Sequence, residues 1–199
     1  MDKHGKLFNK IAPYYQLFFK YQVWYYGKIL KKNNSYFKDK DIKTVLDIGC
    51  GTGAFGYVFK EQGYDVKGID VAEEMVKRGL NNNLECEKGD IAKGLSFKDN
   101  SFDMVVTAMV AHGLDEKNRE KLYKEAKRIS NKVVLIQDYK FKRKFFVDII
   151  ERLEGGGYFN YIDNGQEQLF NIFDNIIVKE VSRNLNWYIS ENFKNKEGI

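Results

Sequence analysis

The feature that most constrains the fold is an apolar strand that runs directly into closely spaced glycines and then into a helix. The segment reads TVLDIGCGTGAFGYVFKEQGYDVKGID, from Thr44 to Asp70. A strand, a glycine turn, a helix and a second strand make a β–α–β unit, which joins two parallel strands through a crossover helix. In sheets of this kind a ligand binds beyond the carboxyl ends of the strands, near the first glycine turn.

The same alternation continues along the chain. We predict strands at 44–48, 65–69, 84–87, 102–107 and 132–137, and helices at 54–62, 72–80 and 116–129. Segments such as MVVT and VVLIQ are apolar on both faces, as in a sheet that helices cover on both sides. The tail NIIVKEVSRNLNWYIS predicts a terminal hairpin. The sequence therefore predicts an α/β fold with a doubly wound, mostly parallel seven-stranded sheet and a C-terminal antiparallel hairpin.

Composition limits the class of protein. The chain has 199 residues, 43% of them apolar, which is enough for a single domain with its own core. Its two cysteines, Cys50 and Cys86, give no disulfide framework and suit a reducing compartment. Residues 1–20 show no signal-peptide pattern, and no apolar run approaches the roughly 20 residues that span a bilayer. We expect a cytoplasmic protein without membrane insertion, present as a monomer or a homodimer.

The N-terminal segment, residues 5–32, is rich in aromatic side chains. It predicts one or two helices, interrupted near Pro13, that form a helical cap before the first strand. A polar stretch, KKNNSYFKDKD, then leads into the sheet.

The glycines allow two interpretations. The spacing Gly51-x-Gly53-x-x-Gly56, with Asp70 about 20 residues further on, matches a dinucleotide fingerprint. Asp47 argues against that interpretation, because its carboxylate would repel a pyrophosphate at the helix N-terminus. A carboxylate at this position suits a cationic ligand without phosphates, such as S-adenosylmethionine, which carries an ammonium and a sulfonium. A capping or loop role for Asp47 is the alternative.

The motif VLDIGCGTG resembles the first motif of the class I S-adenosylmethionine-dependent methyltransferases, a Rossmann-like family. VKGIDVAEEMVKRG and GDIAKGLSFKDNSFDMVVTAMVAHGL resemble the segments that follow in that family. FNKIAPYYQLFF is similar to the N-terminal helix of the type that includes the ubiquinone/menaquinone biosynthesis enzymes. The chain departs from that type at Tyr15-Gln16, where those enzymes commonly have Tyr-Asp, so their particular substrate is not implied.

The resemblance implies a cofactor site for S-adenosylmethionine. Asp47 would lie near the amino group of the methionine part, Asp70 would accept hydrogen bonds from the ribose hydroxyls, and Asp90 would accept from the adenine amine. Turn and capping roles remain the alternative for Asp90. The complete implied set is Tyr15, Asp47, Gly49, Cys50, Gly51, Gly53, Asp70, Val71, Met75, Asp90, Ile91 and Thr107.

The sequence offers one candidate for a catalytic base. Methyl transfer mainly requires alignment of the acceptor and exclusion of water, and a base helps when the acceptor carries a proton. His112 follows the fourth strand and has the ordinary chemistry of such a base, although a surface or capping role fits a histidine there equally well. No cluster of His, Asp or Glu has the spacing of a metal site, so we expect no metal.

Absent motifs narrow the acceptor. The fourth strand ends in Thr107-Ala108-Met109-Val110, without the Pro-Pro-aromatic motif of amine and amide methylases. Methylation of cytosine at C5 needs a Pro-Cys nucleophile, and neither cysteine of this chain follows a proline. The basic run KFKRK, 140–144, next to Phe145 and Phe146, favours the exposed face of a helix over a nucleic-acid site. The aromatic N-terminal segment and GGGYFNYI, 155–162, favour a small acceptor that is planar or lipophilic.

The predicted function is therefore methyl transfer to a small-molecule acceptor. Two alternatives stay open: a methyltransferase that acts on RNA or protein, and a protein that binds the cofactor without turnover. Within one domain we expect residues 1–40 to form a helical lid that moves over the site, 41–140 the cofactor-binding core, and 141–199 the remainder of the sheet and the acceptor pocket.

Overall fold

The computed structural model describes residues 3–140 and 157–191. These residues form a seven-stranded sheet in the order β3-β2-β1-β4-β5-β7-β6. The strands are β1 Thr44–Ile48, β2 Asp65–Asp70, β3 Glu85–Lys88, β4 Phe102–Ala108, β5 Ser130–Tyr139, β6 Ile177–Glu180 and β7 Leu185–Glu191. The helices are α1 Lys3–Asn33, α2 Ser35–Lys38, α3 Ala54–Lys60, α4 Glu73–Asn81, α5 Glu116–Ile129 and α6 Gly157–Ile172.

The sheet has the predicted strand directions. Strands β1 to β5 pair in parallel, and β7 pairs antiparallel with both β5 and β6. The doubly wound sheet with its C-terminal hairpin is thus confirmed. The largest difference is in β5, which runs over 130–139 rather than 132–137. The strand continues beyond residue 137 because Val133 to Tyr139 pair continuously with β7.

Each face of the sheet carries its own core. On one face, α1, α2 and α3 pack on the side chains of alternate strand residues, including Val45, Val106 and Leu135. On the other face, α5 and α6 cover the intervening residues, including Leu46, Val105 and Ile136. Burial on both sides explains why these strands are continuously apolar.

Helix α1 corrects one expectation about the N-terminal segment. It is continuous from Lys3 to Asn33 and contains Pro13 without an interruption. Proline removes one helical hydrogen bond, but tertiary contacts hold the flanking turns, because the adjacent Ala12 is fully buried with Met75 of α4. Further along, Ile29 and Leu30 belong to the main core, so the second half of α1 packs as part of the folded domain.

Two predicted features lie partly or wholly outside the described residues. They are the basic run at 140–144, of which Lys140 is described, and the beginning of GGGYFNYI. Within the two described ranges, every helix is too short or too polar to cross a membrane.

Candidate functional site

The glycine turn between β1 and α3 forms the floor of the site. Gly49, Gly51 and Gly53 have φ angles of 74°, 54° and 87°, in the left-handed region that favours glycine. A Cβ on Gly49 would lie 2.5 Å from Cγ2 of Val110, so the chain after β4 comes directly against this turn. A Cβ on Gly51 would meet nothing within 4 Å, so space is open beside this residue.

Asp47, the fourth residue of β1, lies beneath the turn and is 1% exposed. Its Oδ2 accepts a hydrogen bond of 2.9 Å from the Gly56 backbone N–H, in the first turn of α3. Glycine is needed at position 56 because a Cβ there would lie 3.0 Å from that oxygen and 2.9 Å from Leu84. The carboxylate therefore takes the place at this helix N-terminus that a phosphate would need in a dinucleotide site.

The second oxygen of Asp47 has unmet hydrogen-bonding capacity. Oδ1 is buried and has no hydrogen-bond partner among the described residues. Burial raises the pKa of Asp47 to about 7, the Gly56 hydrogen bond opposes this rise, and the charge of Asp70 adds to it. A buried acceptor oxygen of this kind is suited to a ligand that brings a positive charge or an N–H donor.

Asp70, at the end of β2, holds two loops together. Its Oδ2 accepts from the Gly51 N–H at 2.9 Å, and its Oδ1 accepts from the Ala72 N–H at 2.8 Å. A carboxylate is a double acceptor, which is the chemistry that two ribose hydroxyls require. The structure therefore brings Asp70 next to the glycine turn, and gives it a bracing role that the sequence had not indicated.

The predicted residues after β2, in α4 and after β3 differ in their exposure and in their hydrogen bonds. Val71 is partly exposed directly after Asp70, whereas Met75 is 1% exposed and packs on Ala12 of α1. Asp90 caps the 3₁₀ turn that begins at Ile91, because its Oδ1 accepts from the Ala92 N–H at 3.0 Å. The capping role considered for Asp90 is thus present.

Two of the predicted residues direct their side chains away from the glycine turn. Cys50 points into the core, where its Sγ lies 3.7 Å from Sγ of Cys86, so it offers a ligand only its backbone. Thr107 is the strand neighbour of Val106, which pairs with Asp47. Because side chains alternate across a strand, Thr107 faces the α5 side of the sheet and Asp47 faces the α3 side. Its buried hydroxyl has no hydrogen-bond partner among the described residues.

His112 follows β4 in a 3₁₀ turn, Ala111–Gly113. Its Nδ1 lies 2.7 Å from Oδ1 of Asp138, and its backbone N–H donates to the other oxygen of Asp138 at 3.3 Å. Asp138, at the end of β5, has a side chain that is 1% exposed, while that of His112 is 17% exposed. When Nδ1 carries the hydrogen and donates it to the carboxylate, Nε2 is the ring nitrogen that can accept a proton.

Aromatic rings surround this pair. The rings of Tyr139 and Tyr161 meet the imidazole edge-on, at centroid distances of 4.8 and 6.4 Å. The turn that carries His112 begins at Met109, whose φ of 59° is unusual for a residue other than glycine. Its N–H donates to the Gln137 carbonyl at 2.9 Å, which fixes this bend over the end of β5.

Helix α1 is tied to the site by polar contacts. Gln16 exchanges two hydrogen bonds with the amide of Asn82, and the Asn82 side chain also donates to the Thr52 carbonyl in the glycine turn. Tyr15 is 39% exposed and packs edge-on against Phe8, with 6.1 Å between ring centroids. The departure from the family at Gln16 thus has a structural role in this chain.

Three residues of the site were missed in the sequence: Asn82, Met109 and Asp138. No local pattern identifies them, since each acts through a partner that is distant in sequence or through a backbone angle. For Asp138 a signal was present, because an acid directly after a buried strand lies at the same edge as a histidine after the neighbouring strand.

Comparison with known proteins agrees with this geometry. A family described as "Methyltransferase domain" matches residues 45–132, from β1 into β5. This segment of the chain is therefore similar to a methyltransferase domain. A solved SAM-dependent methyltransferase from Thermotoga maritima has the same fold, with a TM-score of 0.67 at 19% identity, over 94% of this chain and 99% of that chain.

Two curated relatives are similar to part of the chain. An 18S rRNA (guanine-N(7))-methyltransferase of Bos taurus is 32% identical over 78 residues, which are 38% of this chain and 28% of the relative. Norajmaline N-methyltransferase of Rauvolfia serpentina is 35% identical over 100 residues, which are 46% of this chain and 33% of the relative. The matched part thus spans about a third or less of either relative.

The residues present fit S-adenosylmethionine. The unpartnered Oδ1 of Asp47 provides an acceptor for the ammonium, the glycine turn leaves space beside Gly51, and the carboxylate of Asp70 lies directly against this turn. Among residues 3–140 and 157–191, no group of three His, Cys, Asp or Glu is placed to hold a metal ion.

Proposed function

We propose that the protein transfers a methyl group from S-adenosylmethionine to a small-molecule acceptor. The observation that carries the proposal is the unmet hydrogen-bonding capacity of Asp47, whose buried Oδ1 lies beneath the glycine turn and has no partner among the described residues. On the same side of the sheet, the buried Nε2 of Gln137 on β5 also has no partner among those residues. Buried polar atoms are usually satisfied, so such a group indicates where ligands complete the structure.

Each residue has a role in this proposal. Asp47 holds the amino group of the cofactor, Asp70 the ribose hydroxyls, and Asp90 with Ile91 and Val71 the adenine. The backbone of Gly49, Cys50, Gly51 and Gly53 lies under the methionine part, with Tyr15 as a further contact. Met75, which is buried against Ala12, and Thr107, which faces the α5 side, are not assigned a contact. When bound, the cofactor supplies a methyl group that its sulfonium has already activated.

His112 is the proposed base for an acceptor that carries a proton. Its Nε2 accepts the proton while Asp138 holds the ring through Nδ1 and stabilises the imidazolium that forms. Asp138 is thus a positioning residue, since it acts through the imidazole. The aromatic rings of Tyr139 and Tyr161 shield this pair from water and favour an apolar acceptor body.

The test is a screen of acceptor panels with a methyl donor labelled on its methyl group. Transfer of label to a small molecule supports the proposal. His112→Gln and Asp138→Asn should then lower kcat by about 100-fold or more while cofactor affinity stays within about twofold. Label found only on RNA would favour the alternative, for which the name of the Bos taurus relative is the support. Cofactor binding without transfer to any acceptor class would favour a non-catalytic binding protein.

A further inference from the structure

The outward side of α1 is an exposed apolar surface. It consists of Leu7, Tyr14, Leu17, Phe18, Tyr21 and Trp24, which we call the outer face. These side chains are 43% to 79% exposed, and Leu17 is the most exposed of them. Their spacing of three, four or seven residues places them along one side of the helix. Folded domains seldom leave so many large apolar side chains of one helix in water.

The opposite side of α1 is already occupied. Ala12 and Leu30 are buried, and the ring of Tyr26 packs edge-on against Phe55 with 5.2 Å between centroids. The Gln16–Asn82 hydrogen bonds fix the rotation of the helix further. The helix therefore cannot bury its outer face by turning over, so that face is available to an external partner.

All charged residues of α1 have the same sign. The helix contains lysines and no Asp, Glu or Arg. Lys10, Lys20 and Lys28 are exposed among or beside the outer-face residues, and Nζ of Lys28 lies 5.5 Å from the centre of the Trp24 ring. Lys31 and Lys32 continue the positive charge into the last turn. The surface is thus apolar, and every charged residue that lies within or beside it is cationic.

We propose that the outer face of α1 is an interfacial anchor that binds an anionic lipid bilayer. A helix of this kind lies in the plane of the membrane, with rings and aliphatic side chains among the acyl chains and lysines at the headgroup phosphates. It does not cross the membrane, in keeping with the hydropathy of the described helices. The inference goes beyond methyl transfer and does not depend on it.

Charge and chemistry favour a bilayer over other partners. A second copy would bring lysines against lysines, which disfavours pairing through this face. RNA would match the lysines and could stack on Trp24 and Tyr21, but Leu7 and Leu17 gain nothing from phosphates or from stacking. A bilayer satisfies both parts of the surface, because lysine stems lie along apolar surface while their charges stay at the headgroups.

The experiment uses the full chain and unilamellar vesicles of phosphatidylcholine, with or without phosphatidylglycerol. The protein has two tryptophans, and Trp187 is fully buried while Trp24 is 57% exposed. A blue shift of the emission therefore reports Trp24. We expect the blue shift and co-sedimentation with the phosphatidylglycerol vesicles, and loss of both at high salt. Binding to phosphatidylcholine alone should be weaker by tenfold or more.

Variants separate the two components of the surface. Leu17→Glu should abolish co-sedimentation, and Lys10→Ala with Lys28→Ala should weaken it by roughly fivefold for each lysine. The matched control is Ile177→Ser with Val178→Ser, since both side chains are 47% exposed on β6, away from α1. The control should bind as the parent does, and melting temperatures verify that every variant is folded.

Several results would overturn the proposal. These are an absence of vesicle binding, equal binding to both kinds of vesicle, and an unchanged affinity in Leu17→Glu. An emission of Trp24 that is already blue-shifted in buffer, or a dimer that Leu17→Glu dissociates, would show that protein covers the face. Salt-sensitive RNA binding that the lysine variants abolish, without vesicle binding, would assign the face to nucleic acid.

Discussion

Protonation of Asp47 should make cofactor affinity depend on pH. The buried carboxyl has a pKa of about 7, raised by burial, and only its ionised form can pair with the ammonium of the cofactor. Below pH 7 the carboxyl of Asp47 is mostly protonated, and it has to release this proton before it can pair with the ligand. Binding of S-adenosylhomocysteine, which carries the same ammonium group, should therefore strengthen as the pH rises from 5 to 7.

The size of the effect follows from the ionised fraction. With a pKa of about 7, roughly half of the protein is ionised at pH 7 and about one-tenth at pH 6. The affinity should therefore be about fivefold higher at pH 7 than at pH 6. Below pH 6 the change approaches tenfold for each pH unit, which corresponds to about 1.4 kcal/mol.

Isothermal titration calorimetry at several pH values measures this dependence, and buffers of different ionisation enthalpy report the released proton. In Asp47→Asn the dependence should disappear and binding should be weaker at pH 7. His112→Gln is the matched control, since it removes another ionisable side chain proposed for the site and should leave the slope intact. A flat profile for the parent protein, or a slope that persists in Asp47→Asn, would refute the role of Asp47.

The same carboxyl affects the stability of the ligand-free protein, with the opposite sign. Its folded-state pKa is raised above the usual value of 3.8, so the folded state keeps its proton while the unfolded chain ionises. The contribution of Asp47 to the free energy of unfolding is therefore full below about pH 4 and is lost as the pH rises to about 7. The free energy of unfolding, measured in urea at pH 4 and at pH 7, should therefore show this loss in the parent protein and not in Asp47→Asn.

Three further predictions follow from the contacts of the site. Asp70→Ala should weaken S-adenosylhomocysteine binding by about 1.5–3 kcal/mol in calorimetry, and an unchanged affinity would place the ribose contact elsewhere. Gln16→Ala should lower the free energy of unfolding by about 1 kcal/mol, measured in urea, because it removes both bonds to Asn82. The thiols of Cys50 and Cys86 should resist Ellman's reagent until the protein unfolds, since both are buried. The pKa of Cys50 is also raised, by its contact with Cys86 and by burial. Rapid reaction in the native state would contradict this prediction.

The sheet, the glycine turn and the two acids beside it could be predicted from the amino-acid sequence. These features depend on short-range physics: the apolar period of each strand, the left-handed backbone that glycine permits, and the rule that ligands lie at the carboxyl ends of parallel strands. The turn Gly49–Gly53 and its neighbours Asp47 and Asp70 were therefore recognisable from one stretch of chain.

Tertiary structure alone decided which groups meet. The contacts between His112 and Asp138, and between Gln16 and Asn82, join positions 26 and 66 residues apart, and depend on how strands and helices pack. The same packing holds α1 continuous through Pro13, because the energy of burying its neighbours exceeds the loss of one helical hydrogen bond. It also leaves the outer face of α1 in solvent. A sequence pattern gives the period of a helix, but only the neighbours of the helix decide which side is buried.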